Sequence, residues 1–443
     1  MPYLKVVDLE NKLDSVATSS SGYCRKDSCP EQTVPGGRKV FFVNISAPST
    51  PDTPRTPVLI SGGVHAREWA PPDALVSFIA KLIDAGVGNK PAKYGPFAQS
   101  SWAGKPLPAP RATPVRYPEF TVPADAVQSV LDEIDLYIVP LVNPDGRAFS
   151  RHPDWNRWWW RKNRASQGSV GTCLDTHGLD QNVGVDLNRN FDICWKGENF
   201  YDPTYFASTV KVHTATATCV GSTPLSHEFG QTFRGANEFS EVEARNLQWL
   251  QEHHDIQFFV DVHSHGPTIL FPWGIAEKNT TDDSLSFLNS GLGATRDATT
   301  GEFIPATLEA RLTLIGGRMH DGILKTATAD ARASSSKRFS CDYQVKQSAS
   351  GLYPTTGACD DYFFSRQFAG APVSPFHASV NPPERFAFTI ECGSDAEGLF
   401  WPQYDHEFPK IEREVHAALW SLLTHIASPL RAASSSWPIL QTP

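Results

Sequence analysis

The chain has 443 residues, 40% hydrophobic and 20% charged, with a formal net charge of −9; this is an ordinary globular composition with room for one large or two medium domains. The acidic balance argues against nucleic acid or an anionic membrane as the main partner, because both select basic surfaces. No apolar run approaches the ~18 residues of a membrane span, and no apolar h-region follows Met1-Pro-Tyr-Leu-Lys5 to make a signal peptide.

The segment to about Gly37 has little periodicity and ends in the turn cluster Pro35-Gly36-Gly37. Cys24 and Cys29 within it are close enough to close a small loop. Lys39 to Ile45 reads as a strand by its β-branched and aromatic content, and Pro57 to Ile60 as the next. Ser61-Gly-Gly-Val-His-Ala-Arg-Glu-Trp-Ala70 follows directly, with His65 and Glu68 three residues apart on a tight turn at the strand's end. Ala74, Leu75, Phe78, Ile79 and Leu82 then recur at helical spacing. An imidazole and a carboxylate so placed can converge on one zinc ion, which takes nitrogen and oxygen ligands at about 2.0–2.2 Å and keeps a position open in catalytic sites. The same pair also occurs as a surface turn with an ordinary salt bridge, so a third ligand has to decide.

Asn89 to about Ala124 is rich in proline and without sustained period, which reads as an irregular surface loop inserted within the domain. Leu136 to Val142 resumes strand chemistry, and Asn143-Pro-Asp-Gly146 suits a type I turn. Trp155-Asn-Arg-Trp-Trp-Trp-Arg-Lys-Asn-Arg164 mixes aromatic and guanidinium groups. Such a mix can bind single-stranded nucleic acid, but the acidic chain argues against it. Two other readings are aromatic packing with solvated arginines, and one arginine projecting into an anion-binding cleft. In Val185-Asp-Leu-Asn-Arg-Asn-Phe191, alternation predicts Val185 and Leu187 inward, with Asp186 and Asn188 on the other face. Asn188 and Arg189 offer donors suited to a carboxylate.

Gln257-Phe-Phe-Val-Asp-Val-His-Ser-His-Gly266 supplies the missing ligand, because His263 ends a strongly apolar strand. A doubly wound sheet gathers functional groups at the carboxyl ends of its strands, where His263 can meet the earlier turn. His265 points alternately and is the weaker candidate. Leu352 to Tyr362 carries Tyr353 beside Pro354 and Gly357 in a loop, and Arg385-Phe-Ala-Phe-Thr-Ile-Glu391 is a strand ending in a carboxylate that apolar neighbours can desolvate. That setting raises a pKa and suits a general base. Ile411, Val415, Leu419, Leu422 and Ile426 mark a closing amphipathic helix of a domain spanning 1–427, before a tail from 428 to 443.

From about Arg38 to Ile426 this ordered set of motifs resembles the funnelin-type zinc metallocarboxypeptidases of the pancreatic carboxypeptidase A and B kind. The resemblance implies a single α/β domain, a twisted mixed central sheet with helices on both faces. It implies one Zn2+ per chain on His65, Glu68 and His263, with Asp186 orienting the first histidine and Glu391 as general base. Arg161 falls on the arginine that polarises the scissile carbonyl, Arg67 on a substrate-side arginine, and Asn188, Arg189 and Tyr353 on the groups that clasp the terminal carboxylate. Asp360, seven residues beyond the mobile tyrosine, falls at the base of the pocket for the departing side chain. An acid there goes with lysine and arginine; the alternative is that Asp360 turns to solvent or caps a helix beginning at Asp361. The implied partners are peptide or protein C-termini, and the implied form is a monomer.

The chain also departs from the family pattern. Set against that pattern, the expectation is of a form without the helix that normally leads the domain, the secretion signal and the pro-segment, with stretches 196–222 and 279–345 longer than the pattern requires. Eight cysteines without a C-x-x-C, together with acceptor patterns at Asn44-Ile-Ser46 and Asn279-Thr-Thr281, tilt toward an extracellular, secretory or vacuolar setting. By resemblance Cys173 bridges Cys219, with Cys194 as competitor, while Cys341, Cys359 and Cys392 have no assigned partner. Two other readings keep the scaffold: an amidohydrolase of small N-acyl amino acids or a deglutamylase, and an inactive binding protein.

Overall fold

The computed structural model describes residues 4–8, 38–47, 55–99, 101–102, 105–106, 115–165, 174–175, 177–181, 183–212, 231–327, 343–368, 383–394 and 399–427. One sheet contains eight strands: β1 (Leu4–Asp8), β2 (Phe41–Ile45), β3 (Thr56–Gly62), β4 (Ile134–Val139), β5 (Phe258–Ser264), β6 (Thr268–Phe271), β7 (Gln344–Gln347) and β8 (Phe386–Cys392). Their order is β1-β2-β4-β3-β5-β8-β6-β7. The run β4-β3-β5-β8 is parallel, whereas β1-β2, β2-β4 and β8-β6 pair antiparallel, so the sheet is mixed. The central strands are buried on both faces, which is why Val58-Leu-Ile60 and Phe386-Ala-Phe388 are continuous apolar runs and not alternating ones.

Among the described helices of seven residues or more are α1 (Ala70–Gly88), α2 (Ala124–Glu133), α3 (Pro144–Ser150), α4 (Val242–His254), α5 (Ala306–Lys325), α6 (Cys359–Ser365) and α7 (Phe408–Ile426). Two of them show that both faces are covered. A Cβ at Gly316 of α5 would meet Phe388 and Ile269, while Phe363 of α6 stacks on Phe259 with ring centroids 4.0 Å apart. Phe388 pairs with Val260 and Phe259 with Ala387, so these contacts belong to opposite sides of the pleat. On the α5 side, α7 packs against α1, α2 and α5, and its Trp420 is wholly buried edge-on to Phe78. Among the described residues no helix is long and apolar enough to cross a membrane.

Three local expectations change. The proline-rich interval is not irregular where it is described: Ala92–Tyr94 pairs with Phe120–Val122 and Phe97–Gln99 with Val115–Tyr117. The prolines at 91, 96, 118 and 123 fall outside these pairings, where a missing N–H costs no ladder bond. Tyr94 stacks on Phe120, and its hydroxyl accepts from Trp420 Nε1 at 2.9 Å, pinning the ribbon to α7. Asn143-Pro-Asp-Gly146 opens α3 instead of forming a free turn, since the Asn143 side chain accepts from Gly146 N at 2.9 Å and caps the helix. Val185 to Phe191 is not a strand. Asp186 caps a 3₁₀ turn over Leu187–Arg189, so Asp186 is as buried as its apolar neighbours.

Candidate active site

Parallel pairing in register brings the carboxyl ends of β3, β5 and β8 to one edge, with Val262 opposite Gly62 and His263 opposite Glu391. The turn that follows β3 therefore lies over the end of β5. Asn143 holds this arrangement by donating Nδ2 to Val64 O and to Lys162 O, at 3.1 Å each, which ties the His65 turn to the arginine segment.

His65, Glu68 and His263 are all buried, and their donor atoms lie within 4.8 Å of one another. His65 Nδ1 is 2.7 Å from Glu68 Oε1, His263 Nδ1 is 3.2 Å from Glu68 Oε2, and the two Nδ1 atoms are 3.1 Å apart. Each imidazole is held from behind at Nε2, His65 by Asp186 Oδ1 at 3.2 Å and His263 by Asp261 Oδ2 at 2.7 Å. Two nitrogens and a carboxylate converging from two strand ends, with carboxylates fixing the outer ring nitrogens, are the donor set and surrounding that a zinc site requires. Burial lowers the His65 pKa. For His263, burial works the same way but Asp261 and Glu68 outweigh it, and the pKa lies well above its usual value. The two histidines likewise overcome burial at Glu68 and hold its carboxyl well below the usual range.

Glu391 sits beside His263, and burial pushes its carboxyl up to about 7. Arg161 is buried, and its Nε donates to Asp186 Oδ2 at 2.9 Å, so a single carboxylate braces both His65 and Arg161. Burial opposes the charge on Arg161, but Asp186 more than offsets it. Of the aromatic and arginine segment, Arg161 is thus enclosed and not solvated. Trp158 and Trp159 pack with Trp69, Phe400 and Trp401, and Arg67 lies over the Phe400 ring at 4.4 Å. His265 also meets Phe400, with ring centroids 4.6 Å apart, and stands outside the donor group.

Asn188 Oδ1 accepts from Cys359 N at 2.7 Å, which fixes the amide so that its NH2 is the remaining donor. Arg189 is buried, its Nε held by Lys211 O at 2.8 Å and its Nη1 by Asn188 O at 2.6 Å, and its guanidinium lies 5.8 Å from the Tyr353 ring. Gly357 stitches the tyrosine loop to this segment. Its φ is +66°, and a Cβ there would come within 2.3 Å of Arg189 O. Asp360 does not turn to solvent: it is 5% exposed in the first turn of α6, where its Oδ1 accepts from Asp361 N at 3.0 Å and its Oδ2 takes Ser348 Oγ at 3.1 Å and Thr389 Oγ1 at 3.2 Å. Thr389 lies two residues before Glu391, on the same face of β8. Burial holds the Asp360 carboxyl above its usual range.

Sequence reasoning missed Asp261, which is 1% exposed. The available signal was Asp261-Val-His263, an acid two residues before a ligand on a strand and so on the same face. It also missed Gln231, whose side-chain Oε1 accepts from Arg161 N at 2.9 Å. Cys194 and Cys359 carry free thiols. The candidate bridge of Cys173 with Cys219, the Cys24 and Cys29 loop, Cys341 and the tail from 428 lie outside the described residues.

Carboxypeptidase B of Helicoverpa zea is 24% identical over 54% of this chain and 39% of its own length. Carboxypeptidase A1 of Sus scrofa is 26% identical over 56% of this chain and 41% of its own. A protein of Arthroderma benhamiae named inactive metallocarboxypeptidase ECM14 is 24% identical over 75% and 42%. The chain thus spans about two fifths of the length of these curated relatives. Its fold is similar to that of bovine thrombin-activatable fibrinolysis inhibitor, solved in complex with tick carboxypeptidase inhibitor (TM-score 0.54, 16% identity, 96% of this chain and 91% of that one). It is equally similar to carboxypeptidase A of Helicoverpa armigera (TM-score 0.54, 19% identity, 98% and 70%). Residues 9–92 and 122–418 match the zinc carboxypeptidase family profile, and the chain belongs to that family.

Proposed function

We propose that the chain removes single residues from the C-terminus of peptides or proteins, with one zinc ion on His65, Glu68 and His263 and a preference for terminal lysine or arginine. The observation that carries this reading is the convergence of those three donors beside Glu391, on an edge that also bears Asn188 and Arg189. When bound, zinc supplies Lewis acidity and a water acidic enough to lose its proton near neutral pH. Glu391 would take a proton from the attacking water and deliver it to the leaving amine. Arg161, braced by Asp186, faces the developing oxyanion. Asn188, Arg189 and Tyr353 clasp the terminal carboxylate, which restricts cleavage to the last peptide bond. Asp360 receives the departing side chain. A carboxyl raised by burial is returned to its ionised form by a cation beside it, and this favours lysine and arginine over apolar residues.

A matched pair of peptides, one with a free C-terminus and one amidated, tests the clasp. The free peptide should lose its last residue and the amidated one should persist; equal cleavage of both would remove the exopeptidase reading. The name of the Arthroderma relative favours a second reading, an inactive binding protein. Glu391 and the complete donor trio weigh against it, and the set Asn188, Arg189 and Tyr353 weighs against an amidohydrolase of small N-acyl amino acids.

A further inference from the structure

We infer that Asp261 is a positioning residue for His263, and that its carboxylate sets how tightly this site holds its metal. The inference rests on the metal reading above. Strand alternation puts Asp261 and His263 on one face of β5, and Asp261 Oδ2 lies 2.7 Å from His263 Nε2. This contact keeps the outer nitrogen protonated and leaves the Nδ1 lone pair turned toward Glu68 and His65. The other oxygen is fixed as well: Ser61 Oγ donates to Asp261 Oδ1 at 2.8 Å from the neighbouring strand. Ser61 and Thr389 are the register partners of Asp261 on β3 and β8. The Thr389 hydroxyl donates to Asp360, so Ser61 and His263 are the two donors that orient Asp261.

The two carboxylates behind the two imidazoles differ in charge balance. Asp186 shares its charge between His65 and Arg161. Asp261 forms an ion pair only with His263 among the described residues, its other partner being a neutral hydroxyl. A buried carboxylate in a sheet centre is costly without a cation to face. Among the described residues, the His263 ring is the cationic partner that Asp261 faces. Asp261 therefore has one charged partner, the His263 ring, where Asp186 divides between two, and this ties Asp261 more closely to the orientation of His263.

The test measures zinc affinity by chelator competition on the full chain at fixed pH, with the unfolding temperature of the metal-free protein measured alongside. Asp261→Asn keeps the shape and removes the charge, and it should weaken zinc binding about 10- to 100-fold while the metal-free protein still folds. Ser61→Ala, which loosens only the brace, should weaken binding by about 3-fold or more. A folded Asp261→Asn protein with wild-type zinc affinity would overturn the inference. So would a lowered unfolding temperature with unchanged affinity, because that is the signature of a merely structural acid. If Asp261→Asn does not fold, Ser61→Ala decides, and unchanged affinity there overturns the inference. His263→Ala separates the two readings: full zinc retention in that variant would defeat the metal assignment itself, whereas its loss beside an unaffected Asp261→Asn defeats only the role of Asp261.

Discussion

His263 and Glu391 are paired in register across two parallel strands, at the carboxyl ends of β5 and β8. Strand spacing of about 4.8 Å then fixes the separation of their backbones, so the proposed ligand and the proposed base are set side by side by the sheet and not by a loop. The same pairing runs from Phe258 with Phe386 to Ser264 with Cys392. The apolar half of each strand therefore holds the polar end in place.

Glu391→Gln should fold and bind zinc as wild type does, yet release C-terminal residues at least ~100-fold more slowly, the scale of general-base catalysis. Turnover near the wild-type rate would mean that the proton goes elsewhere.

Arg161→Ala should lower kcat by about 100- to 1000-fold with a much smaller change in KM, because the arginine is proposed to act on charge that develops only in the transition state. A rise in KM alone would assign Arg161 to ground-state binding.

Asp360→Ile should reverse specificity. Peptides ending in arginine and in phenylalanine are compared by kcat/KM in both proteins. The wild type should prefer arginine and the variant phenylalanine. Equal wild-type rates, or an unchanged preference in the variant, would refute the role of Asp360 and leave the remainder of the proposed chemistry standing.

His416 gives a pH-dependent contribution to stability. It is wholly enclosed between α7 and α1, with Nε2 2.8 Å from Ala74 O, and burial lowers its pKa to about 4. The folded state therefore keeps it neutral while the unfolded chain protonates it near 6.5. Its contribution is complete above pH 6.5 and is lost as pH falls from there toward 4, amounting to roughly 2 kcal/mol at pH 5. Thermal unfolding at pH 7 and pH 5 should show this loss in wild type and a smaller one in His416→Gln. The same loss in both proteins would place the proton elsewhere.

The convergence of His65, Glu68 and His263 was legible in the sequence because each follows an apolar strand, and strand ends of a parallel sheet meet. Asp360 was legible as a position, but its buried contacts with Ser348 and Thr389 come from segments distant in the chain. The Val185 to Phe191 stretch misled because alternation of apolar and polar residues is equally compatible with a short capped turn, and Asp186 is the cap. The proline-rich interval misled in the opposite direction, since Pro91, Pro96, Pro118 and Pro123 lie between the pairings of Ala92–Tyr94 with Phe120–Val122 and of Phe97–Gln99 with Val115–Tyr117 and not within them. Asp261 went unread because an acid within an apolar strand carries no signal until the residue two places on is taken as a ligand.

The central claim is tested most directly by titrating zinc into metal-free protein while following peptide products by mass spectrometry. The account predicts that activity saturates at one zinc per chain and that products differ from substrate by single residues lost from the C-terminus. Saturation with one zinc and no release, or cleavage at internal bonds, would contradict it.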